Sequence, residues 1–149
     1  MLRTAKERWP LTKLQIIPIP VQGDNANKLK SILSKLKKNK LKLEALIIAR
    51  GGGSREDLML FDSEIIAREI ATFPIPVITG IGHEDDLTVA DLVSDHRSAT
   101  PTAAIVDLLP SREIEKNKFL QNKKLLKYYL KLFFQNAKKS LITKQSIFQ

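Results

Sequence analysis

Two short stretches of the sequence gather groups that handle phosphate and protons. The first is Arg50-Gly51-Gly52-Gly53-Ser54, which follows an apolar run. Three consecutive glycines let the backbone approach an anion closely, and their N–H groups can line one concavity. A helix starting just afterwards adds its positive end, capped by Ser54. Arg50 can grip two phosphate oxygens at once. The glycine spacing fits neither a Walker loop nor a dinucleotide fingerprint. Taken alone, the stretch reads equally well as a tight turn filled by small residues.

The second stretch is Gly82-His83-Glu84-Asp85-Asp86. Histidine is the side chain best suited to exchanging protons near neutral pH, and an adjacent carboxylate can fix its tautomer. Asp86 comes three residues after His83, so a helical turn there would set both on one face. A hydrogen-bonded structural histidine is the competing reading of His83. For Glu84 and Asp85 a solvated turn or helix cap is the simpler account. His83, Glu84, Asp86 and Asp91 offer one imidazole with carboxylates, and His96 lacks a recognisable metal-ligand spacing. No metal site and no cofactor is therefore expected.

Asp57, Asp91, Asp95 and Arg97 lie downstream of these loops. Arg97, ahead of Thr100-Pro101-Thr102-Ala103-Ala104, suits phosphate binding at a helix start. A pairing of Asp91 and Asp95 with Arg97 explains the same residues without any ligand.

The elements that must position these loops follow from hydrophobic spacing. Leu2 to Trp9 reads as a helix stopped by Pro10, with Trp9 in the core. Leu14 to Pro18 reads as a short strand. Asp24 or Asn25 caps a helix whose Leu29, Ile32, Leu33 and Leu36 recur at helical spacing. Leu43 to Ala49 reads as a buried strand delivered to the glycine loop. Ser63 to Ala71 is a second amphipathic helix, and Val77 to Gly82 a third strand. Leu87 to Val93 makes a short helix, and Thr100-Pro101 opens another with proline at its first position. Strands alternating with helices predict an α/β fold, a mostly parallel sheet flanked by helices on both faces. Ligands of such sheets bind at the carboxyl ends of the strands. Both loops lie there.

From Ser111 onward glycine and proline disappear, and apolar residues recur among lysines. This predicts a long C-terminal amphipathic helix, although no clean heptad specifies a coiled coil. Residues 111–149 hold nine lysines and one arginine against two glutamates, so +8 of the net +9 sits in the tail. A basic tail on a near-neutral domain suits a polyanion or an acidic partner, and equally a solvated helix face. Six of the nine aromatics also lie there: Phe119, Tyr128, Tyr129, Phe133, Phe134 and Phe148. They read as a packing seam rather than a base-stacking platform. With no cysteine, no secretory start and no long apolar run, the expected location is the cytoplasm, with no membrane association.

The strings Arg50-Gly51-Gly52-Gly53-Ser54, Glu56-Asp57-Leu58, Pro76-Val77, Gly82-His83-Glu84, Asp86, Ala90-Asp91 and Thr100-Pro101-Thr102-Ala103-Ala104 occur in one order and spacing. As a set they resemble the large subunit of exodeoxyribonuclease VII, as does Pro20-Val21-Gln22-Gly23 with Ala26. The resemblance covers roughly residues 1–110 and implies part of that family's catalytic domain. Residues 111–149 resemble the start of its long helical region. It further implies hydrolysis of phosphodiester bonds in single-stranded DNA, releasing oligonucleotides without added divalent metal. Arg50, His83 and Asp86 then carry over as catalytic residues and Gly51, Gly52 and Gly53 as the phosphate loop. The implied partners are single-stranded DNA, a small subunit bound along the helical region, and further copies of the chain. The sequence departs from the family at Asp85 and Ala99, where threonine or serine and proline are usual. Nothing here resembles the family's oligonucleotide-binding β-barrel, so the likeness is to a fragment. The alternative function is a non-catalytic module that binds single-stranded DNA or phosphate.

Overall fold

The computed structural model describes residues 1–19, 25–38, 43–53, 55–83 and 85–147. Ser54, Glu84, Asp24, Phe148 and the stretch Pro20-Val21-Gln22-Gly23, all singled out above, lie outside the described residues. The chain divides into two units, Met1–Leu109 and Pro110–Gln149.

The first unit is α/β. Its helix α1 spans Leu2–Arg8 and ends before Pro10, and Trp9 is half-buried rather than enclosed. Helix α2, Asn25–Lys38, buries Leu29 and Leu33, one turn apart on one face. Strand β1, Leu46–Arg50, leads to the glycine loop. Beyond the loop come α3, Arg55–Leu58, a 3-10 turn over Met59–Asp62, and α4, Glu64–Ala71. Strand β2, Val77–Ile81, is buried at every position. Helix α5, Val89–Val93, leads into β3, His96–Arg97, and then into α6, Pro101–Leu108.

The sheet order is β1-β2-β3, and both pairings are parallel. Side chains alternate across a strand. Ile48 of β1 and Val77 and Ile81 of β2 share one core with Leu29 and Leu33 of α2, Leu58, Phe61, and Ile66 and Ile70 of α4. Burying a side chain of this size contributes about 1.5–3 kcal/mol, so this layer holds the sheet rigid beneath its loops. Gly80 faces the other way, towards α6. A Cβ there would lie 2.9 Å from the Thr100 carbonyl oxygen and 3.1 Å from the Pro101 Cα. Only a residue without a side chain lets the start of α6 sit this close. Thr100 caps α6 by accepting from the Ala103 amide at 3.0 Å, with Pro101 at the first helical position as expected.

Two strand expectations also need correction. Leu14 to Pro18 is not a strand: it has no ladder partner among the described residues, and Ile16 is 65% exposed. Pro18 brings no N–H to a ladder, and the apolar run alone supplies no neighbouring backbone. The third strand is instead β3, two residues long and carrying charge. Its pairing comes from Asp95, whose amide donates to the Val77 carbonyl at 3.0 Å and whose Oδ2 accepts from the Val77 amide at 2.7 Å.

In the second unit, α7 runs from Arg112 to Ile147. Its aromatic neighbours Tyr128–Tyr129 and Phe133–Phe134 pack edge to face, with ring centroids 5.8 and 5.7 Å apart. Consecutive helical residues point about 100° apart, so each pair spreads apolar surface over more than a narrow stripe. No helix among the described residues is long and apolar enough to cross a membrane.

Candidate active site at the strand ends

Both loops leave the same end of the sheet. Arg50 pairs with Ile81 at the last rung of the β1–β2 ladder, and the Gly82 amide donates to the Arg50 carbonyl at 3.2 Å. The chain thus emerges from the two strands side by side. Arg50 points to the same sheet face as Ile48, by the strand alternation.

The glycines carry the side chains that could react. A Cβ on Gly52 would run into the His83 ring, within contact of Cε1 and 3.0 Å from Nδ1. A Cβ on Gly53 would strike the Arg50 guanidinium, 2.5 Å from Nη1 and 2.9 Å from Cζ. Imidazole and guanidinium therefore rest on adjacent glycines of one loop. Gly51 has open space where its side chain would be. All three glycines are exposed, and the His83 side chain is 75% exposed.

Arg50 is only 16% exposed and pairs through Nη2 with Asp57 Oδ2 at 2.8 Å. Its Nη1 is buried without a hydrogen-bond partner among the described residues. A charge removed from bulk water in this way acts through a lower effective dielectric, which strengthens its pull on an anion.

Asp86 shapes the second loop. Its Oδ2 accepts from the His83 backbone amide at 2.9 Å, while the Asp86 amide donates to the His83 carbonyl at 3.0 Å. The same Oδ2 lies 3.9 Å from His83 Nδ1, beyond hydrogen-bond reach. Gly82 takes φ +65°, a region that L side chains rarely adopt, and a Cβ there would also meet Asp86 Oδ2 at 2.5 Å. The turn that presents His83 depends on glycine at 82 and carboxylate at 86 together.

A clasp ties the two loops to each other. Arg55, at the start of α3, donates through Nη1 to the Leu87 carbonyl at 3.2 Å and through Nη2 to Asp62 Oδ2 at 2.8 Å. Asp62 Oδ1 in turn accepts from the Val89 amide at 3.0 Å. Sequence reasoning missed this clasp, because its partners are 32 and 27 residues apart and form no local pattern.

The remaining predicted residues fall elsewhere. Asp91 is 5% exposed and closes a capping box with Thr88, accepting from the Thr88 amide at 2.9 Å and its hydroxyl at 2.7 Å. Asp95 holds β3 against β2, as described above. Arg97 pairs with Thr79 in the middle of β2, on the Arg50 face of the sheet but set back from its end. Asp85 is exposed. His96 Nε2 lies 3.2 Å from Asp107 Oδ2, which also accepts from the Ser98 hydroxyl at 2.6 Å. Ser98 first and His96 second hold the Asp107 carboxyl below its ordinary range. Among the described residues no three His, Cys, Asp or Glu side chains are grouped to hold a metal ion.

The sequence is similar to those of known proteins. The family profile described as "Exonuclease VII, large subunit" matches residues 1–148. The exodeoxyribonuclease 7 large subunit of Parasynechococcus marenigrum is 57% identical over 129 residues, 85% of this chain and 33% of that protein. That of Synechococcus sp. strain CC9311 is 54% identical over 143 residues, 95% of this chain and 37% of that protein. The Carboxydothermus hydrogenoformans large subunit is 44% identical over 143 residues, again 95% of this chain and 30% of that protein. The chain thus spans about a third of the length of the relatives it matches. On a match of this extent, the chain belongs to the exonuclease VII large subunit family.

Proposed function

We propose that this chain carries the catalytic core of a nuclease that hydrolyses phosphodiester bonds in single-stranded DNA and releases oligonucleotides. One observation carries the reading: the Arg50 guanidinium and the His83 ring rest on neighbouring glycines of one exposed loop. In this reading the Gly51–Gly53 backbone and Arg50 hold the scissile phosphate and offset the extra negative charge of its transition state. His83 takes the proton from an attacking water or gives one to the leaving oxygen. Asp86 orients His83 or fills the other proton role. Arginine and backbone amides supply the charge neutralisation of a metal-independent acid/base mechanism. Ser54 and Arg97 are read as further phosphate-binding residues.

Residues 1–110 act as part of the catalytic domain and 111–149 as the start of the helical region, working in the cytoplasm. The relatives are named as large subunits, so a small subunit is the natural partner, bound along α7. Its lysines and exposed aromatics suit either that contact or self-association.

A second reading is favoured by one distance. At 3.9 Å from His83 Nδ1, Asp86 does not give the ring the hydrogen bond that an acid/base histidine is expected to receive. Here the chain binds single-stranded DNA or phosphate without turnover. Incubation with end-labelled single strands in the presence of chelator separates the two. Short products, lost in His83→Ala and Arg50→Ala, support the nuclease. Retention of labelled strand without cleavage supports the binding module.

A further inference from the structure

We infer that Asp57 is a positioning residue of the anion site, fixing Arg50 so that its guanidinium faces the glycine loop. The inference rests on the proposed reading of Arg50 as the phosphate clamp. Arg50 is a long side chain at a strand end, and among the described residues the carboxylate that meets its guanidinium is Asp57. Asp57 directs it through the 2.8 Å contact to Nη2. Its own place is determined by α3, whose first residue, Arg55, is locked to Leu87 and Asp62. The geometry thus runs from the clasp, through one turn of helix, to the guanidinium.

With Nη2 held by Asp57, the fork keeps a second donor edge. Nη1 lies against Gly53, buried and without an acceptor among the described residues. A buried unpaired donor is costly. A phosphate oxygen, admitted by a small shift of the side-chain-free backbone, supplies the acceptor it lacks. Local spacing does not pair Asp57 with Arg50: it is seven residues away, on α3.

Charge alone predicts the opposite of this proposal. Removing a carboxylate beside a phosphate site strengthens anion binding by simple electrostatics, whereas losing a positioning residue weakens it. The test is a titration of the isotope-labelled chain with inorganic phosphate, following the Gly51, Gly52 and Gly53 amides by NMR. Asp57→Ala is expected to weaken binding about tenfold, the equivalent of one lost charge-assisted contact. Asp57→Asn keeps an oxygen acceptor for Nη2 and is expected to recover most of that loss. Asp57 is 44% exposed, so its replacement is compatible with folding, which the same spectra report. If the alanine variant fails to fold, Asp57→Ser makes the same comparison. Wild-type or tighter phosphate binding without Asp57 overturns the inference. Arg50→Ala distinguishes the two levels: if it binds phosphate normally, the anion-site reading itself fails. If Arg50→Ala loses binding and Asp57→Ala does not, only the role of Asp57 fails.

Discussion

The chain's two histidines mark two regions built for opposite ends. His83 stands at the carboxyl rim of the sheet, 75% exposed, on a turn held by backbone hydrogen bonds and Asp86. Its ring lies against Gly52. His96 sits in the seam between β3 and α6, its Nε2 3.2 Å from Asp107, a carboxylate already held by the buried Ser98. The same difference separates the aspartates. Asp91 and Asp95 each direct Oδ2 to a backbone amide that defines α5 or β3, whereas Asp57 and Asp86 stand beside the groups that could react. Hydrogen bonds to the backbone or to a neighbouring element mark the structural set. Placement beside the glycine loop marks the other.

The largest effect that could break this contrast is on turnover. In a cleavage assay, His83→Ala should lower the rate at least about 100-fold with an unchanged melting temperature, the usual worth of a proton-transfer group. His96→Ala should do the reverse, leaving cleavage intact while lowering the melting temperature. Near-wild-type cleavage by His83→Ala would remove it from the mechanism.

Glycine substitutions sharpen the comparison next. At Gly80 an added Cβ meets backbone, at 2.9 Å from Thr100 oxygen, so α6 must move as a body. Gly80→Ala should destabilise the fold by about 1–3 kcal/mol in denaturant unfolding. At Gly52 the added Cβ meets an exposed ring that can swing away. Gly52→Ala should therefore change stability by less than about 0.5 kcal/mol. Yet it should cut cleavage about tenfold, through a misplaced ring.

The smallest effect lies in the seam. Asp107→Ala should cost about 1 kcal/mol, a typical hydrogen-bond contribution, with cleavage unaffected. Its pH dependence has a definite sign. Because Ser98 and His96 hold the Asp107 carboxyl below its ordinary range, its stabilising contribution is present above that range. It is lost as pH falls through the depressed value. The wild type and Asp107→Ala should converge in melting temperature in acid and diverge towards neutrality.

Much of this contrast was legible in the residues. The glycine run after an apolar strand and the His83 loop after another are local patterns, and the parallel sheet brings them together as the strand-helix alternation predicts. Thr100-Pro101 announced the start of α6 for the same reason: capping is read from neighbours in sequence. What sequence did not reveal depends on distant partners. The run at Leu14 to Pro18 is apolar enough for a strand but finds no ladder, while His96–Arg97 is too short and charged to look like one and is a strand through Asp95 and Val77. The Arg55–Asp62 clasp and the Asp57–Arg50 pair were invisible because they are set by the fold, not by spacing.

The central claim is that the two loops face one common anion. It is tested most directly by following both histidine rings by NMR while inorganic phosphate is added. The account predicts that the His83 ring signals move and saturate together with the Gly52 and Gly53 amides, while those of His96 stay put. Glycine amides that respond while His83 does not, or two histidines that respond alike, would contradict it.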